Sequence, residues 1–367
     1  MFHLIFFFKT CFLLCSHGII KKEWWGIMKN IYGCTLKDLE DFFFSIFSKK
    51  FHALQLFSWL YDKRITSFSE ITDMKKEDLK KLEEEYSIDF LRIVDVQKDK
   101  DVCKYLFELF DGEHIEAVLM KHDYGNSICI SSQVGCNMGC QFCESGRRKK
   151  VRNLETYEMV LQLLMIEKEL GERISHVVVM GIGEPFDNYE NLLHFLEIIN
   201  HPKGLAIGAR HITVSTCGIV PKILEFSRFP LQINLAISLH APNNDLRNQL
   251  MPINKVYPLE QLIPAIQTYL EKTNRRVTFE YILLKDFNDS SICAEELSHL
   301  LKGINCYVNL IPYNETNNFQ FKRTNTIQIM RFYDILKKNR MNVTIRKEFG
   351  GNISAACGQL RSKKEEL

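Results

Sequence analysis

The sequence predicts an α/β protein: a partial (βα)6 barrel with a small N-terminal helical domain. From residue 126 onward, apolar runs of five to eight residues alternate with amphipathic stretches of helical length, which is typical of a parallel sheet with connecting helices. Residues 28–95 carry mainly helical periodicity instead. Because only six or seven strand–helix units are present, we expect an incomplete barrel rather than a closed eight-stranded one.

Composition limits the class of protein. Hydrophobic residues make up 46% of the 367 residues and charged residues 25%, as in ordinary globular proteins. The net charge of +2 gives no overall basic field for nucleic acid, so any RNA binding must depend on local patches. The twelve cysteines lack the even spacing of a secreted disulfide scaffold. We therefore expect reduced thiols and a cytoplasmic protein.

Residues 1–27 form an apolar N-terminal extension. Lys9 interrupts the apolar run and no small-residue cleavage site follows, so a secretory signal is not indicated. The run is about long enough to span a membrane. However, Met28 opens a stretch that is typical of the start of an ordinary domain. We expect residues 1–27 to precede the true start, and we expect no membrane association.

Residues 28–95 are predicted to form a helical accessory domain. Thr35 is a candidate N-cap for an amphipathic helix over 36–47, a second helix is predicted over 52–63, and a charged helix over 72–86. Two interpretations of its basic residues stay open, namely RNA binding and simple exposure to water. These residues are Lys49, Lys50, Lys63 and Arg64.

Residues 96–125 are predicted to be a β-hairpin linker that turns at Asp111–Gly112, and residues 351–367 a C-terminal tail. The core between them covers 126–350. Its strands are predicted over 127–133, 176–180, 211–215, 234–239, 277–284, 307–313 and 342–346. Its helices are predicted over 155–170, 189–199, 220–227, 259–272, 294–302 and 326–338.

A cysteine motif, CNMGCQFC, directly follows the first core strand and places Cys136, Cys140 and Cys143 within eight residues. A tight loop, which the neighbouring glycines permit, can bring three thiols to one inorganic centre. Three protein ligands leave one metal position open, unlike the closed four-ligand sites of structural metals. The alternative is a zinc loop whose fourth ligand lies elsewhere, at His122 or Cys129.

Polar residues and glycines follow several of the other predicted strands. In barrels of this kind the chemistry lies on the loops after the strands, so these residues should share one rim. A single GxGE sequence would be weak, because a glycine after a strand most often only makes a turn. The candidate rim residues are Gly181, Gly183, Glu184, Pro185, Ser215, Thr216, Cys217, Ser238, His240 and Asn314.

These motifs together resemble a known family. CNMGCQFC resembles the signature of the radical S-adenosylmethionine (SAM) superfamily. With CISSQVGC, MGIGEP, SLHAPN, MPIN, NLIPYN and AACGQL, the chain resembles the RlmN-type 23S rRNA adenine carbon-2 methyltransferases from about residue 30 to residue 361. The resemblance implies a partial (βα)6 barrel with a helical N-terminal domain, in agreement with the pattern.

The resemblance also implies two cofactors. Cys136, Cys140 and Cys143 would hold a [4Fe–4S] cluster whose open iron binds SAM. The contacts to SAM implied by the matching motifs are Gly183, Glu184, Ser215, Ser238, Leu239, His240 and Asn314.

Three further residues are implied to be catalytic. Cys357 would be methylated by one SAM, and a second SAM, cleaved reductively, would give a radical that takes a hydrogen from this methyl group. The resulting methylene radical would add to adenine carbon-2. Loss of the carbon-2 proton to Cys129 and a Cys129–Cys357 disulfide would release the base, while Glu116 matches a family carboxylate assigned as proton acceptor. Without the resemblance, both cysteines would be ordinary small buried residues.

The implied partners are 23S rRNA at the peptidyl transferase centre, with the adenosine 3′ to the anticodon of tRNA as a second candidate, and an electron donor such as flavodoxin or ferredoxin. We expect a monomer. A basic run after the cysteine loop would contact RNA phosphates or else form a solvated loop. Its members are Arg147, Arg148, Lys149, Lys150 and Arg152.

Three rival functions remain. The closest is the adenine carbon-8 methyltransferase sister family, which typically has Cys and Ala where this chain has Val134 and Pro185. The others are a non-methylating iron–sulfur protein and a zinc-dependent RNA-binding module. The chain also departs from its relatives at Ser145, where Thr is usual, and at Cys217, where Ser is usual.

Overall fold

The structure, a computed structural model, describes residues 28–47, 50–315, 321–346 and 359–360. The strands are β1 (Lys29–Asn30), β2 (Tyr86–Ser87), β3 (Arg92–Asp99), β4 (Val102–Glu108), β5 (His114–His122), β6 (Gly125–Ile130), β7 (Gln133–Val134), β8 (Arg152–Asn153), β9 (Ile174–Val179), β10 (Ile212–Thr216), β11 (Asn234–Ser238), β12 (Val277–Leu283), β13 (Cys306–Pro312) and β14 (Val343–Ile345). The helices are α1 (Leu36–Phe47), α2 (Phe51–Tyr61), α3 (Lys76–Glu85), α4 (Thr156–Leu170), α5 (Tyr189–Asn200), α6 (Val220–Phe226), α7 (Asn244–Leu250), α8 (Leu259–Thr273), α9 (Ser291–Leu300) and α10 (Thr326–Lys338).

The dominant feature is a ten-stranded sheet with the order β14-β13-β12-β11-β10-β9-β6-β5-β4-β3. Strands β6 and β9 to β14 run parallel, and at least one helix connects each of them to the next. In the described part of the chain β14 and β3 do not pair, so the sheet stays open. The predicted partial (βα)6 barrel with a helical N-terminal region is confirmed.

Apart from strands of two residues, the fold differs from the prediction in two places. The hairpin is part of a three-stranded antiparallel extension, because β3 pairs with β4 as β4 does with β5. Its turn is as predicted, with Gly112 at a φ of +82°. The second difference is α7, a helix that the sequence analysis did not predict.

The N-terminal helices pack onto the barrel around buried tyrosines. Tyr32 Oη donates to the carbonyl of Ile65 at 2.6 Å, and Tyr61 Oη donates to the carbonyl of Cys34 at 3.0 Å. The helices α1 to α3 and the barrel share one continuous apolar core. The accessory domain therefore has a fixed packing role.

The basic residues of this region fit neither interpretation simply. Arg64 pairs at 2.6 Å with the buried carboxylate of Glu167 on α4, so it docks the domain onto the barrel. Lys63 Nζ lies 3.3 Å from the centre of the Trp59 ring. Lys50 pairs with Glu40 at 3.2 Å. Arg64, at least, has a packing role, and the RNA-binding role of these residues stays a prediction.

Three predictions lie outside the described residues, namely the extension 1–27 with its possible membrane span, the candidate RNA contact Lys49 and the methyl-carrying candidate Cys357. Within the described ranges, none of the helices has both the length and the apolar character needed to cross a bilayer.

Candidate active site at the carboxyl ends of the parallel strands

One cavity lies where the parallel strands end, and its volume is about 140 Å³. Its wall joins the cysteine loop to residues from the ends of six neighbouring strands. These strand-end residues are Met180, Ser215, Ser238, Ile282, Ile311 and Arg346. The expectation that the rim residues converge is therefore met for most of them, and the wall also contains Gly181, Gly183, Glu184, Pro185, Thr216, Cys217 and His240.

Cys136, Cys140 and Cys143 all line this cavity. The loop that carries them begins at Gly135, whose φ is +74° and where a Cβ would lie 2.3 Å from the carbonyl oxygen of Lys149. Only glycine fits such a position. The amide of Cys136 donates to the carbonyl of Arg148 at 2.9 Å, and that of Cys143 donates to the carbonyl of Cys140 at 3.2 Å.

The surroundings of these thiols suit a bound cationic centre. Burial raises the pKa of Cys136 to about 12 and the pKa of Cys140 well above its usual value, and the neighbouring Cys143 raises both further. A thiol ligand is deprotonated by the metal that it binds. In the described ranges, no group of three or more His, Cys, Asp and Glu side chains is placed to hold a single metal ion as it stands. Three soft sulfur donors on one cavity nevertheless match the ligand chemistry of an iron–sulfur cluster.

Gly183 and Glu184 fix a carboxylate in the cavity wall. Gly183 has a φ of +110°, and a Cβ there would lie 2.6 Å from Cβ of Gln133. The two carboxylate oxygens of Glu184 accept from the amides of Phe186 at 3.0 Å and Cys217 at 2.8 Å. Burial raises the pKa of Glu184, and the hydrogen bond from the Cys217 amide opposes this rise. The carboxylate can still accept a hydrogen bond from a ligand ammonium group.

His240 presents a neutral imidazole to the cavity. Its φ is +59°, a left-handed conformation that is uncommon for this residue type and often found at functional sites. Burial lowers the pKa of His240 to about 3, with the Arg247 guanidinium as a smaller cause. Its Nδ1 accepts from the amide of Ile282 at 3.1 Å. The single ring proton is therefore on Nε2, which can act as a donor.

Hydroxyl and aromatic groups complete this side of the cavity. Ser215 Oγ on β10 lies 3.5 Å from Ser238 Oγ on β11. Phe142, from the cysteine loop, packs edge-on against the His240 ring with 4.7 Å between the ring centres. The cysteine loop and five of the seven predicted SAM contacts, namely Gly183, Glu184, Ser215, Ser238 and His240, thus line one cavity.

Glu116 and Cys129 lie beside the cavity, on the same face of the sheet. Cys129 on β6 is in register with Val118 on β5, and Glu116 is two residues from Val118, so both side chains leave the sheet on one side. They are 2% and 6% exposed. Neither lines the cavity. Met180 does, and it packs against the apolar cluster that includes Cys129.

Glu116 has a buried partner that the sequence analysis missed. Lys104 Nζ lies 3.3 Å from Glu116 Oε1, and the two side chains are 8% and 3% exposed. The available signal was a lone lysine within the apolar strand run VCKYLFE. A lysine in such a run is rarely buried without a partner.

The described part of the C-terminal tail reaches this site. Ser145, two residues after the last loop cysteine, donates its hydroxyl hydrogen to the carbonyl of Leu360 at 2.8 Å. The Leu360 side chain belongs to the same apolar cluster as Cys129. The departure from Thr to Ser at position 145 therefore keeps the hydroxyl that holds the tail.

Two predicted SAM contacts are not part of the described cavity wall. Leu239 is fully buried, and its carbonyl accepts from Arg247 Nε at 3.1 Å. Asn314 is half-buried, two residues beyond the end of β13.

One alternative for the cysteine loop is wrong. His122 is in register with Gly125 at the start of β6 and stacks on Tyr124. This position is roughly 17 Å along the strand from the end that leads into the cysteine loop. His122 therefore cannot be the fourth ligand of a zinc site on that loop.

The basic run is largely paired within the protein. Three of its members form ion pairs with carboxylates, so they are neither a set of available phosphate contacts nor simply solvated. The pairs are Arg148–Glu113, Lys150–Asp187 at 2.6 Å, Arg152–Asp111 at 2.6 Å and Arg152–Glu158 at 2.7 Å. RNA phosphates would have to compete with these carboxylates.

The cavity wall contains two further charged residues that the sequence did not predict, namely Glu280 and Arg346. Glu280 on β12 is 5% exposed and accepts from Asn309 Nδ2 at 2.8 Å. Burial raises its pKa, which Arg346 opposes. As with Lys104, the only sequence signal was a lone charge inside an apolar run, VTFEYILL.

Comparisons with known proteins agree with this site. The family model of the radical SAM superfamily matches residues 130–294, and that of the ribosomal RNA large subunit methyltransferase N-terminal domain matches residues 29–88. A Spiroplasma citri protein named probable dual-specificity RNA methyltransferase RlmN is 54% identical over 342 residues, covering 92% of this chain and 99% of that protein. An Enterococcus faecalis protein of the same name is 54% identical over 345 residues, covering 92% and 97%.

A solved structure matches as well. The crystal structure of a radical SAM methyltransferase from Sphaerobacter thermophilus aligns with a TM-score of 0.85 and 40% sequence identity, covering 91% of this chain and 100% of that chain. High identity over nearly the whole length of several relatives, together with the shared fold, establishes the family. The chain belongs to the RlmN family of radical SAM RNA methyltransferases.

Proposed function

We propose that this protein methylates carbon-2 of an adenine in 23S rRNA, at the peptidyl transferase centre, and of the adenosine 3′ to the anticodon in tRNA. The observation that carries the proposal is the convergence of three cysteines, a fixed carboxylate, two hydroxyls and a neutral imidazole on one cavity. The relatives' name, dual-specificity RNA methyltransferase, supports two RNA substrates. The reaction would take place in the cytoplasm, with the protein as a monomer.

Cys136, Cys140 and Cys143 would hold a [4Fe–4S] cluster and leave one iron for SAM. When bound, the cluster supplies an electron, received from a flavodoxin or ferredoxin, that cleaves SAM and generates the reactive radical. The protein's own task at this site is to bind and orient SAM. Glu184 can accept hydrogen bonds from its ammonium group, and His240 Nε2 can donate to an oxygen of the ligand.

The remaining contacts to SAM come from backbone and hydroxyl groups. Ser215 and Ser238 offer paired hydroxyls suited to a ribose or a carboxylate. Gly183 lines the cavity and allows the tight turn that precedes Glu184, so it would offer backbone groups to the ligand. Leu239 and Asn314 are retained as contacts on the resemblance alone, through a backbone group and a side-chain amide respectively.

The methyl group would travel on Cys357. Its thiolate attacks the methyl carbon of one SAM, and S-adenosylhomocysteine leaves. After transfer of this carbon to adenine carbon-2, Cys129 would take the carbon-2 proton, with Glu116 as the acceptor carboxylate nearby. Attack of the Cys129 sulfur on the Cys357 sulfur would then form a disulfide and break the bond from Cys357 to the transferred carbon, which would keep the electron pair and take up a proton to become the methyl group of the released base. The position of Leu360 in the same cluster as Cys129 supports this pairing, because only three peptide units separate Leu360 from Cys357.

Selection of carbon-2 over carbon-8 is supported by Val134 and Pro185. Val134 is fully buried in β7, and Pro185 lines the cavity directly after Glu184. Cysteine and alanine typically occupy these two positions in the carbon-8 family.

The proposal is tested with protein purified without oxygen and RNA from a strain that lacks the gene. After incubation with SAM and a low-potential reductant, the RNA is digested and analysed by mass spectrometry. We expect 2-methyladenosine in 23S rRNA and in tRNA, and none with Cys140→Ala. The appearance of 8-methyladenosine instead would assign the protein to the carbon-8 reaction, and an unmodified RNA would contradict the proposal.

Two variants test the cysteine roles separately. Cys357→Ala should abolish methyl transfer, because the carrier is lost, while leaving iron content unchanged. Cys129→Ala should accumulate a covalent protein–RNA complex, visible as a mass shift on denaturing gels. A freely turning-over Cys129→Ala enzyme would contradict the resolving role.

A further inference from the structure

Arg247 is a buried cation with an unusual set of partners. It lies on α7 and is fully buried. Its guanidinium donates only to neutral oxygens: the carbonyls of Cys217 at 2.7 Å, Leu239 at 3.1 Å and Ser238 at 3.3 Å, and Oδ1 of Asn254 at 2.7 Å. No carboxylate of the described chain forms an ion pair with it.

Such an arrangement is uncommon, because buried arginines are normally paired with an anion. Hydrogen bonds satisfy the donors of Arg247 but do not compensate its charge. Lys104, the buried lysine beside the site, has such a partner in Glu116. Arg247 is therefore placed as if its counter-charge were supplied by something other than a carboxylate.

The position of α7 indicates where that counter-charge lies. Leu250, one turn after Arg247, accepts a hydrogen bond from the amide of Gln141, in the middle of the cysteine loop, at 2.9 Å. Leu250 also packs in an apolar cluster with Phe142 and Cys217, against which Cys140 and Cys143 rest. The helix that carries Arg247 is thus docked directly against the loop that would hold the cluster.

We propose that Arg247 is the counter-charge of the iron–sulfur site and raises the reduction potential of the cluster. This inference rests on the proposed function, namely on a [4Fe–4S] cluster held by the three cysteines. Three thiolates give the oxidised cluster a net negative charge, and one-electron reduction by the donor adds another. A fixed cation behind the loop stabilises the reduced form more than the oxidised form. Net charge and local electrostatics are among the factors that set cluster potentials.

A purely structural role makes a different prediction. Arg247 also ties together the backbone after β10 and β11, so its removal could disturb the cavity through lost hydrogen bonds alone. In that case only the donor geometry matters, and the sign of the local charge is irrelevant. The two roles are separated by changing the charge without touching Arg247.

Asn254 allows this change. Its Oδ1 accepts from Arg247 Nη1, and Asn254→Asp is nearly isosteric but places a carboxylate on the guanidinium. The matched control is Asn254→Ser. Both variants lose the amide that donates to Asn244 and Asn248, and only one of them adds charge. Arg247→Met removes the cation, and Arg247→Lys keeps it while losing the planar fork.

The experiment is a redox titration of the reconstituted full-length protein, followed by electron paramagnetic resonance without SAM or RNA. At the wild-type midpoint we expect the ratio of reduced to oxidised cluster to fall about tenfold in Asn254→Asp, equivalent to about 59 mV for one electron. In Arg247→Met this ratio should fall at least as far. In Asn254→Ser and Arg247→Lys the ratio should stay within about threefold of the wild-type value.

An Asn254→Asp potential equal to that of the wild type, or an equal shift in Asn254→Ser, would overturn the inference. If Arg247→Met does not retain iron, the comparison of Asn254→Asp with Asn254→Ser still decides the question. A wild-type protein without a three-cysteine-dependent cluster would instead refute the proposed function. The two failures are therefore distinguishable.

Discussion

Replacing Lys104 by Met should destabilise the fold strongly, because it removes a buried cation that pairs with the buried Glu116 carboxylate. At the observed 3.3 Å and an effective dielectric constant of about 20, the Coulomb attraction of the pair is about 5 kcal/mol. Desolvation of both groups offsets much of this energy, so the intact pair contributes less. Breaking such a pair from one side typically costs about 3–5 kcal/mol. We expect a loss in this range for Lys104→Met.

The measurement is urea unfolding followed by circular dichroism. The dependence of the unfolding free energy on urea concentration is compared between variants, because a shift of the midpoint reports a change in stability only when this slope is unchanged. The control is Lys37→Met, because Lys37 forms an exposed pair with Asp41 at 2.6 Å, with side chains 77% and 58% exposed. Exposed pairs on helices are worth only about 0.3–0.5 kcal/mol. The two lysines thus differ in burial and share the same chemistry.

The double variant Lys104→Met/Glu116→Gln tests whether the loss of stability comes from the buried charge of Glu116. With both charges of the pair gone, the Glu116 carboxylate no longer has to be buried beside an apolar Met, so much of the loss should be recovered and the coupling between the two changes should reach about 2 kcal/mol. A Lys104→Met protein within 1 kcal/mol of the wild type, or a double variant as unstable as the sum of the singles, would refute this account of the pair.

Three further changes have outcomes set by local geometry. Gly183→Ala should lower the free energy of unfolding by about 2–4 kcal/mol and weaken SAM binding, because the new Cβ would lie 2.6 Å from Gln133 at a φ of +110°. The control is Gly208→Ala, whose Cβ would have no atom within 4 Å, so the free energy of unfolding should change by less than about 1 kcal/mol. His240 has a pKa of about 3 when folded, below its unfolded value, so it adds stability above the unfolded pKa that is lost as the pH falls. The wild type should therefore lose about 2 kcal/mol more than His240→Gln between pH 7 and pH 5, and equal pH slopes in urea unfolding would contradict the assignment. Ser145→Ala removes the hydrogen bond to Leu360, worth about 1 kcal/mol, and should slow methyl transfer roughly fivefold, whereas Ser145→Thr should not.

The barrel could be predicted from the sequence because its parallel strands are largely buried. Strand β12, for example, has six buried residues of seven and reads as a nearly continuous apolar run. Strand β3 was missed for the opposite reason. It is an edge strand with no buried residue, and a bulge between Ile93 and Asp95 breaks the alternation of its core-facing residues Ile93 and Val96, so the charged sequence RIVDVQKD shows no regular apolar pattern. The helix α7 is only seven residues long and has two apolar side chains, too few for a periodic signal.

The candidate site was predictable only in part. Residues after strands converge because parallel strands end at one edge, which needs no knowledge of side-chain contacts. Ion pairs, in contrast, can be predicted only when the contacts between side chains are known. The Arg152–Asp111 pair joins residues 41 positions apart, and the sequence shows only a run of cations. The sequence therefore could not show that Arg148, Lys150 and Arg152 are paired within the protein, and their contact with RNA phosphates stays a prediction.

The buried charges of the site differ in one respect that sequence patterns could not show. Glu116 is matched by Lys104, and Glu280 is held by Asn309 beside Arg346, so the chain itself provides their partners. Arg247 has hydrogen-bond acceptors but no described carboxylate. If a negatively charged cluster supplies that missing charge, its binding and the stability of the surrounding fold are coupled, as in other proteins whose metal sites form part of the core. The cost of burying Arg247 would then be recovered only in the loaded protein, and the same electrostatics that favour cluster binding would favour its reduction.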